Sequence, residues 1–148
     1  MAETRHASAT WSGNLVDGAG MVTYISSGAF SRMPISWGSR TAAHVGRTSP
    51  EELLAAAHAS CFSMALSNQL AKNGTVATRL DVRVDVTADK TDAGWTVLSS
   101  AIRVSGLVPG IDAATFAEHA DAAKDGCPIS RALKGNVELS VDATLLEG

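Results

Sequence analysis

The chain has 148 residues, 45% hydrophobic and 18% charged, which suits one domain, residues 1–148, with a real core. A formal net charge of −3 gives no reason to expect nucleic acid or an anionic membrane as a partner. No apolar run reaches the roughly eighteen residues of a membrane span, and the opening MAETRHASATW lacks the apolar centre of a secretory signal, so we expect a cytoplasmic protein. Residues 7–13 and 20–27 read as two strands around a turn at Asp17 and Gly18, with Val22 and Tyr24 alternating against smaller residues. Residues 28–47 are broken by Gly28, Pro34, Gly38 and Gly46, leaving one short strand near Ile35–Trp37. This irregular stretch carries Trp37, Arg40, His44 and Arg47, and such connections are where functional groups often sit.

Thr48–Asn73 is the centre of the chain. Ser49 is placed as an N-cap, Pro50 as the first helical residue, and Glu52 three residues after the serine completes a capping box by reaching back to the cap N–H. Glu51 and Glu52 put negative charge at the positive end of the helix dipole. Leu53, Leu54, Ala55–Ala57, Phe62, Met64, Leu66 and Leu70 fall on every side of the helical wheel, so the helix is expected to be buried all round, in a core or at a subunit interface. Residues 78–89 then alternate strictly, Leu80, Val82, Val84 and Val86 on one face, and 95–106 return as their partner after a turn ending at Gly94. Asp112 caps a second helix over 113–125, Gly126 is placed to end it, and PISRAL adds a further turn. Residues 136–146 close as a last alternating strand. The order β-β-α-β-β-α-β argues for an α+β fold with an antiparallel sheet and a long buried central helix.

Cys61 and Cys127 are the only cysteines, far apart in sequence and outside any C-x-x-C motif. In a reducing compartment such a pair is catalytic, redox-active or merely buried. Cys61 lies mid-helix in apolar company, which raises a thiol pKa, so a nucleophilic Cys61 needs a cation: Arg40, Arg47, Arg131 or His58, one turn before it. His58 with Cys61 could form a Cys–His couple, but a histidine satisfied by a backbone carbonyl is the plainer expectation. Cys127, between Gly126 and Pro128, opens a short helix whose N–H groups can stabilise a thiolate. The histidines at 6, 44, 58 and 119 show no metal-ligand spacing with the cysteines.

TSPEELLAAAHASCFSMALS and KDGCPISRAL, with DAGW in the hairpin and VPGIDAATF before the second helix, resemble the OsmC/Ohr family of osmotically inducible and organic hydroperoxide resistance proteins, from about Trp11 to Leu145. The absence of tyrosine beside the cysteines points to the OsmC branch. The resemblance implies an intertwined homodimer and a thiol peroxidase for organic hydroperoxides, with peroxidatic Cys61 and resolving Cys127. It implies Arg40, with Arg47 as a near rival, and Glu51 as the remaining site residues. It implies no bound cofactor, but an external dithiol reductant of lipoyl type. Guanidinium stays charged in an apolar site, and a carboxylate can orient it. A redox-sensing thiol switch is the alternative, separated from a peroxidase by turnover. Glu51 and Cys61 are ten residues apart on one helix, about 15 Å along its axis, so they can hardly meet directly. Either a long arginine spans the gap or a second subunit supplies part of the site.

Overall fold

A computed structural model describes Met1–Ala43 and Val45–Gly148; His44, one of the histidines considered above, lies outside the described residues. The chain divides into two compact units, Met1–Leu53 and Leu54–Gly148, the division falling in the first turn of the long helix.

The first unit holds an antiparallel sheet of β1 (Ala7–Ser12), β2 (Ala19–Ile25) and β3 (Ser31–Ile35), in that order. β3 is an edge strand, which is why it accommodates Pro34, whose missing N–H costs no ladder bond there. The strand expected near Ile35–Trp37 lies a few residues earlier, and Trp37 instead begins a short helix, α1 (Trp37–Thr41). The cause is local: Ser36 and Ser39 cap each other reciprocally, each backbone N–H donating to the other's hydroxyl at 3.1 Å. Beyond α1, Thr48 N–H donates to the Pro34 carbonyl at 2.9 Å, returning the chain beside β3.

Helix α2 spans Pro50–Lys72. Its start is half as expected. Glu52 N–H donates to Ser49 Oγ at 3.2 Å, but the Glu52 carboxylate accepts the Thr48 hydroxyl at 3.0 Å rather than serving the Ser49 N–H.

In the second unit, β4 (Arg79–Thr91) and β5 (Gly94–Leu107) form a long antiparallel hairpin, and β6 (Glu138–Leu145) pairs with the other edge of β5. The β5–β6 pairing is parallel, a departure from an all-antiparallel sheet. It arises because α3 (Ala113–Gly126) and α4 (Pro128–Leu133) carry the chain back across the sheet before β6 begins. Asp112 caps α3 as expected, its carboxylate accepting from Thr115 N–H at 2.7 Å. The core gathers Phe62, Leu66 and Leu70 from α2, Ile102 and Val104 from β5, and Phe116, Ala120 and Ala123 from α3. His58, Phe62, Leu66 and Leu70, spaced by four, are the buried stripe of α2. The expectation of burial all round is therefore not met within one chain: Met64 is 67% exposed, and Ala56 and Ala57 are exposed. Among the described residues no helix is long and apolar enough to cross a membrane.

Candidate active site: two thiols and an arginine–glutamate pair

The four residues singled out from sequence fall into two pairs. In the first unit, α1 presents Arg40 and the first turn of α2 presents Glu51. Arg40 Nε and Nη2 both donate to Glu51 Oε1, at 3.0 and 2.7 Å. The carboxylate is 11% exposed and the guanidinium 30%, so water screens this pair less than a surface ion pair. The Arg40 guanidinium also lies over the Trp37 ring, 5.8 Å from its centroid, a cation–π contact between residues three apart on α1. Glu52, occupied by Thr48, takes no part, which leaves Glu51 for the arginine. Arg47, the rival, is exposed.

Beside Arg40 is a cavity of about 330 Å³ lined by Trp11, Leu15, Ile35, Ser36, Trp37, Arg40 and Pro50. Its wall is largely hydrocarbon with one fixed cation, a setting for a ligand with an alkyl or aryl body and a small polar group. Phe62, next to Cys61 in sequence, is a core residue with no exposure.

The second unit brings Cys61 and Cys127 together across α2 and the α3–α4 junction. Both are free thiols, close enough that each bears on the acidity of the other. Cys127 ends α3 and begins α4: its N–H donates to Ala123 O at 2.8 Å, and its carbonyl accepts from Arg131 N–H at 2.9 Å. Pro128 is the first helical residue after it, where a missing N–H is harmless. These bonds fix the backbone that carries the buried sulfur.

The two thiols are electrostatically unequal. Burial pushes Cys61 up, and the hydrogen bond it donates to Cys127 holds its proton further; the Ile129 N–H and the charge of Arg131 pull only partly the other way. Of the cations proposed from sequence, Arg131 is thus one that bears on Cys61, though weakly. Cys127 is also pushed up by burial, but the Ser130 N–H, the Cys61 thiol, the Ser130 hydroxyl and the Ile129 N–H together bring it below an ordinary thiol.

His58 does not join Cys61. Its ring is fully buried, with Nδ1 2.7 Å from Ser100 Oγ and Nε2 2.7 Å from Ser130 Oγ, so two hydroxyls take the place of the expected backbone carbonyl. Burial lowers its pKa below 6.5. Ser100 and Ser130 were not found by sequence reasoning. Ser130 stood in the quoted KDGCPISRAL segment, whereas Ser100 carries no local signal. Among the described residues no three His, Cys, Asp or Glu side chains are grouped to hold a metal ion.

Comparison with known proteins agrees in sequence and in fold. A family profile described as OsmC-like protein matches residues 43–142. The chain is 43% identical to Peroxiredoxin OsmC of Escherichia coli strain K12 over 88% of this chain and 90% of that protein. It is 33% identical to Organic hydroperoxide resistance protein-like 2 of Staphylococcus epidermidis over 66% of this chain and 68% of that one. Among solved structures, an organic hydroperoxide resistance protein from Elizabethkingia anophelis superposes with a TM-score of 0.75 at 20% identity, covering 99% of this chain and 100% of that one. That last similarity speaks for the fold.

Proposed function

This chain belongs to the OsmC-like family, and on that premise we propose that it is a thiol-dependent peroxidase that reduces organic hydroperoxides, and hydrogen peroxide less well. The observation that carries the reading is the contact between Cys61 and Cys127, two reduced thiols from distant parts of the chain with opposite shifts in acidity.

In the reaction, the Cys61 thiolate attacks one peroxide oxygen; an S–O bond forms, the O–O bond breaks, and the alkoxide takes a proton and leaves as an alcohol. The sulfenic acid on Cys61 is then attacked by the Cys127 thiolate, water departs, and a disulfide remains. An external dithiol of lipoyl type restores both thiols by exchange. The low acidity of Cys61 within its own unit calls for a cation. Arg40, oriented by Glu51, is our choice: it stabilises the Cys61 thiolate and hydrogen-bonds the peroxide oxygens, while the cavity beside it takes the organic group. The protein works as a homodimer in which Arg40 and Glu51 of one subunit serve Cys61 of the other. The uncovered apolar side chains favour this, Met64 on α2 and Trp11, Leu15 and Val16 in the first unit. The cytoplasm, which keeps thiols reduced, is the compartment that suits the chemistry.

The test is consumption of cumene hydroperoxide with dithiothreitol or dihydrolipoamide in excess. Sustained turnover with either dithiol is expected. One equivalent of peroxide consumed and no more, with reductant still present, would mean a redox switch in place of an enzyme.

A further inference from the structure

Three buried polar side chains form a connected series beside the thiols. His58, Ser100 and Ser130 are 0%, 0% and 1% exposed. Buried polar groups persist when each is hydrogen-bonded, and a connected series of them settles which atom carries which proton. Ser130 joins the series to the thiols. It stands in the first turn of α4, three residues after the Cys127 that caps that helix; its hydroxyl lies 2.7 Å from His58 Nε2 and, with its N–H, favours the Cys127 thiolate.

We propose that His58 is a positioning residue for the resolving step, its Nε2–H holding the Ser130 oxygen so that the Ser130 hydroxyl donates to the Cys127 thiolate. This rests on the peroxidase reading, since it names the role of Cys127 in that cycle. The proton directions follow from elementary valence. A thiolate is only an acceptor, so Ser130 gives it the hydroxyl proton. Ser130 Oγ then accepts from Nε2–H. A neutral imidazole with a protonated Nε2 has a bare Nδ1, which accepts the Ser100 hydroxyl proton at 2.7 Å. All three hydrogen bonds point toward the sulfur.

The chemical step balances without a further reactant. Cys127 releases its proton to solvent, and the thiolate electron pair forms the S–S bond to Cys61. The S–O bond of the sulfenic acid breaks, and the departing hydroxide takes a proton to leave as water. The oxidising equivalent is the hydroperoxide that made the sulfenic acid. When the dithiol later attacks the Cys61 sulfur, Cys127 leaves as a thiolate, and the same donor stabilises it.

The basic side chains on the neighbouring elements are otherwise engaged. Lys124, in the last turn of α3, is paired with Asp121 and Asp125, Arg131 on α4 bears on Cys61, and Arg103 on β5 is paired with Asp85.

The experiment uses thiolate absorbance near 240 nm against pH in a Cys61→Ser background, where Cys127 is the remaining thiol, with Cys61→Ser/Cys127→Ser as blank. Adding Ser130→Ala should lower the thiolate fraction near neutral pH about tenfold, the size of one hydrogen bond to a charged group. Adding His58→Leu should move the titration upward too, and His58→Gln, whose amide can donate to Ser130 and accept from Ser100, should restore it. An unchanged titration in Ser130→Ala, or the same titration in His58→Leu and His58→Gln, overturns the proposal. A second measurement needs no variant: 15N shifts of the His58 ring in the reduced wild type should report a neutral, Nε2-protonated tautomer, and the Nδ1-protonated form overturns the proposal. Neither readout depends on turnover. Expected readouts in a protein inactive toward hydroperoxide would remove the peroxidase reading and keep the relay.

Discussion

At the scale of single residues, the two cysteines are placed for different work. Cys127 stands at the junction of two helices, with N–H and hydroxyl donors that favour its thiolate over that of an ordinary thiol. Cys61 has the raised pKa to overcome and is the more exposed of the two, as a group that must meet a substrate requires. Cys61→Ser should therefore abolish reaction with cumene hydroperoxide. Cys127→Ser should consume one equivalent and then accumulate sulfenic or over-oxidised Cys61, detected by mass spectrometry; the reverse pattern would exchange the two roles. His58 makes a separate prediction for stability. Burial holds its pKa below 6.5, so between 6.5 and that lower folded value the unfolded chain binds more protons than the folded one. Its contribution is complete above 6.5 and is lost as pH falls through this window. Tm should decline from about pH 7 to about pH 5, and His58→Gln should flatten the decline. Asp85 and Asp112, held below 3.8 by an arginine and by Thr115 N–H respectively, act in a lower window and do not obscure it.

At the scale of elements, the helix carrying Cys61 is aimed by its packing on β5 and α3. Leu66 and Leu70 continue the buried stripe begun by His58 and Phe62, so the rotation of α2 is set by the same four-residue spacing that places Cys61 beside Cys127. The packing of α3 on the sheet depends on Gly106 of β5. A Cβ there would lie 2.4 Å from Phe116 Cζ, and the Phe116 ring is fully buried with nowhere to retreat. Gly106→Ala should cost about 1–3 kcal/mol in chemical denaturation, the usual cost of overpacking. Combining it with Phe116→Leu should be less damaging than the sum of the two single changes. Strict additivity would mean that the glycine is not there for the ring.

At the scale of the whole molecule, one chain leaves apolar surface uncovered. Strand β1 is exposed along its length, Trp11 is 40% exposed and Leu15 56%, and Met64 projects from α2. A second copy covering such surface would also answer the helix geometry, because Glu51 and Cys61 stand ten residues apart on the unbroken α2. The prediction is complementation. Inactive Cys61→Ser subunits mixed with inactive Arg40→Ala subunits, under conditions that re-form dimers, should recover about a quarter of wild-type activity. Random pairing gives half heterodimers, each with one sound site. No recovery in verified heterodimers would put Arg40 and Cys61 to work in the same subunit, and a fully active monomer would remove the dimer from the mechanism.

What the sequence by itself determined was local or carried by motif. Ser49 and Pro50 mark the start of α2, Asp112 caps α3, Gly94 closes the hairpin, and alternation identifies β4 and β6, because each signal acts within one or two turns of chain. The motifs around Cys61 and Cys127 identified the family, and the resemblance they carry named Arg40 and Glu51, which the structure joins as an ion pair. The tertiary structure alone decided what depends on distant segments. The parallel pairing of β6 follows from a crossover through two helices, and the one-sided burial of α2 from how little of it one chain covers. Ser100 is 42 residues from His58 and Ser130 is 72, so no periodicity could join them to the ring. The directions of the two thiols' acidities were legible locally, from the apolar helix around Cys61 and the helix start at Cys127. The meeting of the two thiols depends instead on segments far apart in the chain, whose fields act over a few ångströms of space.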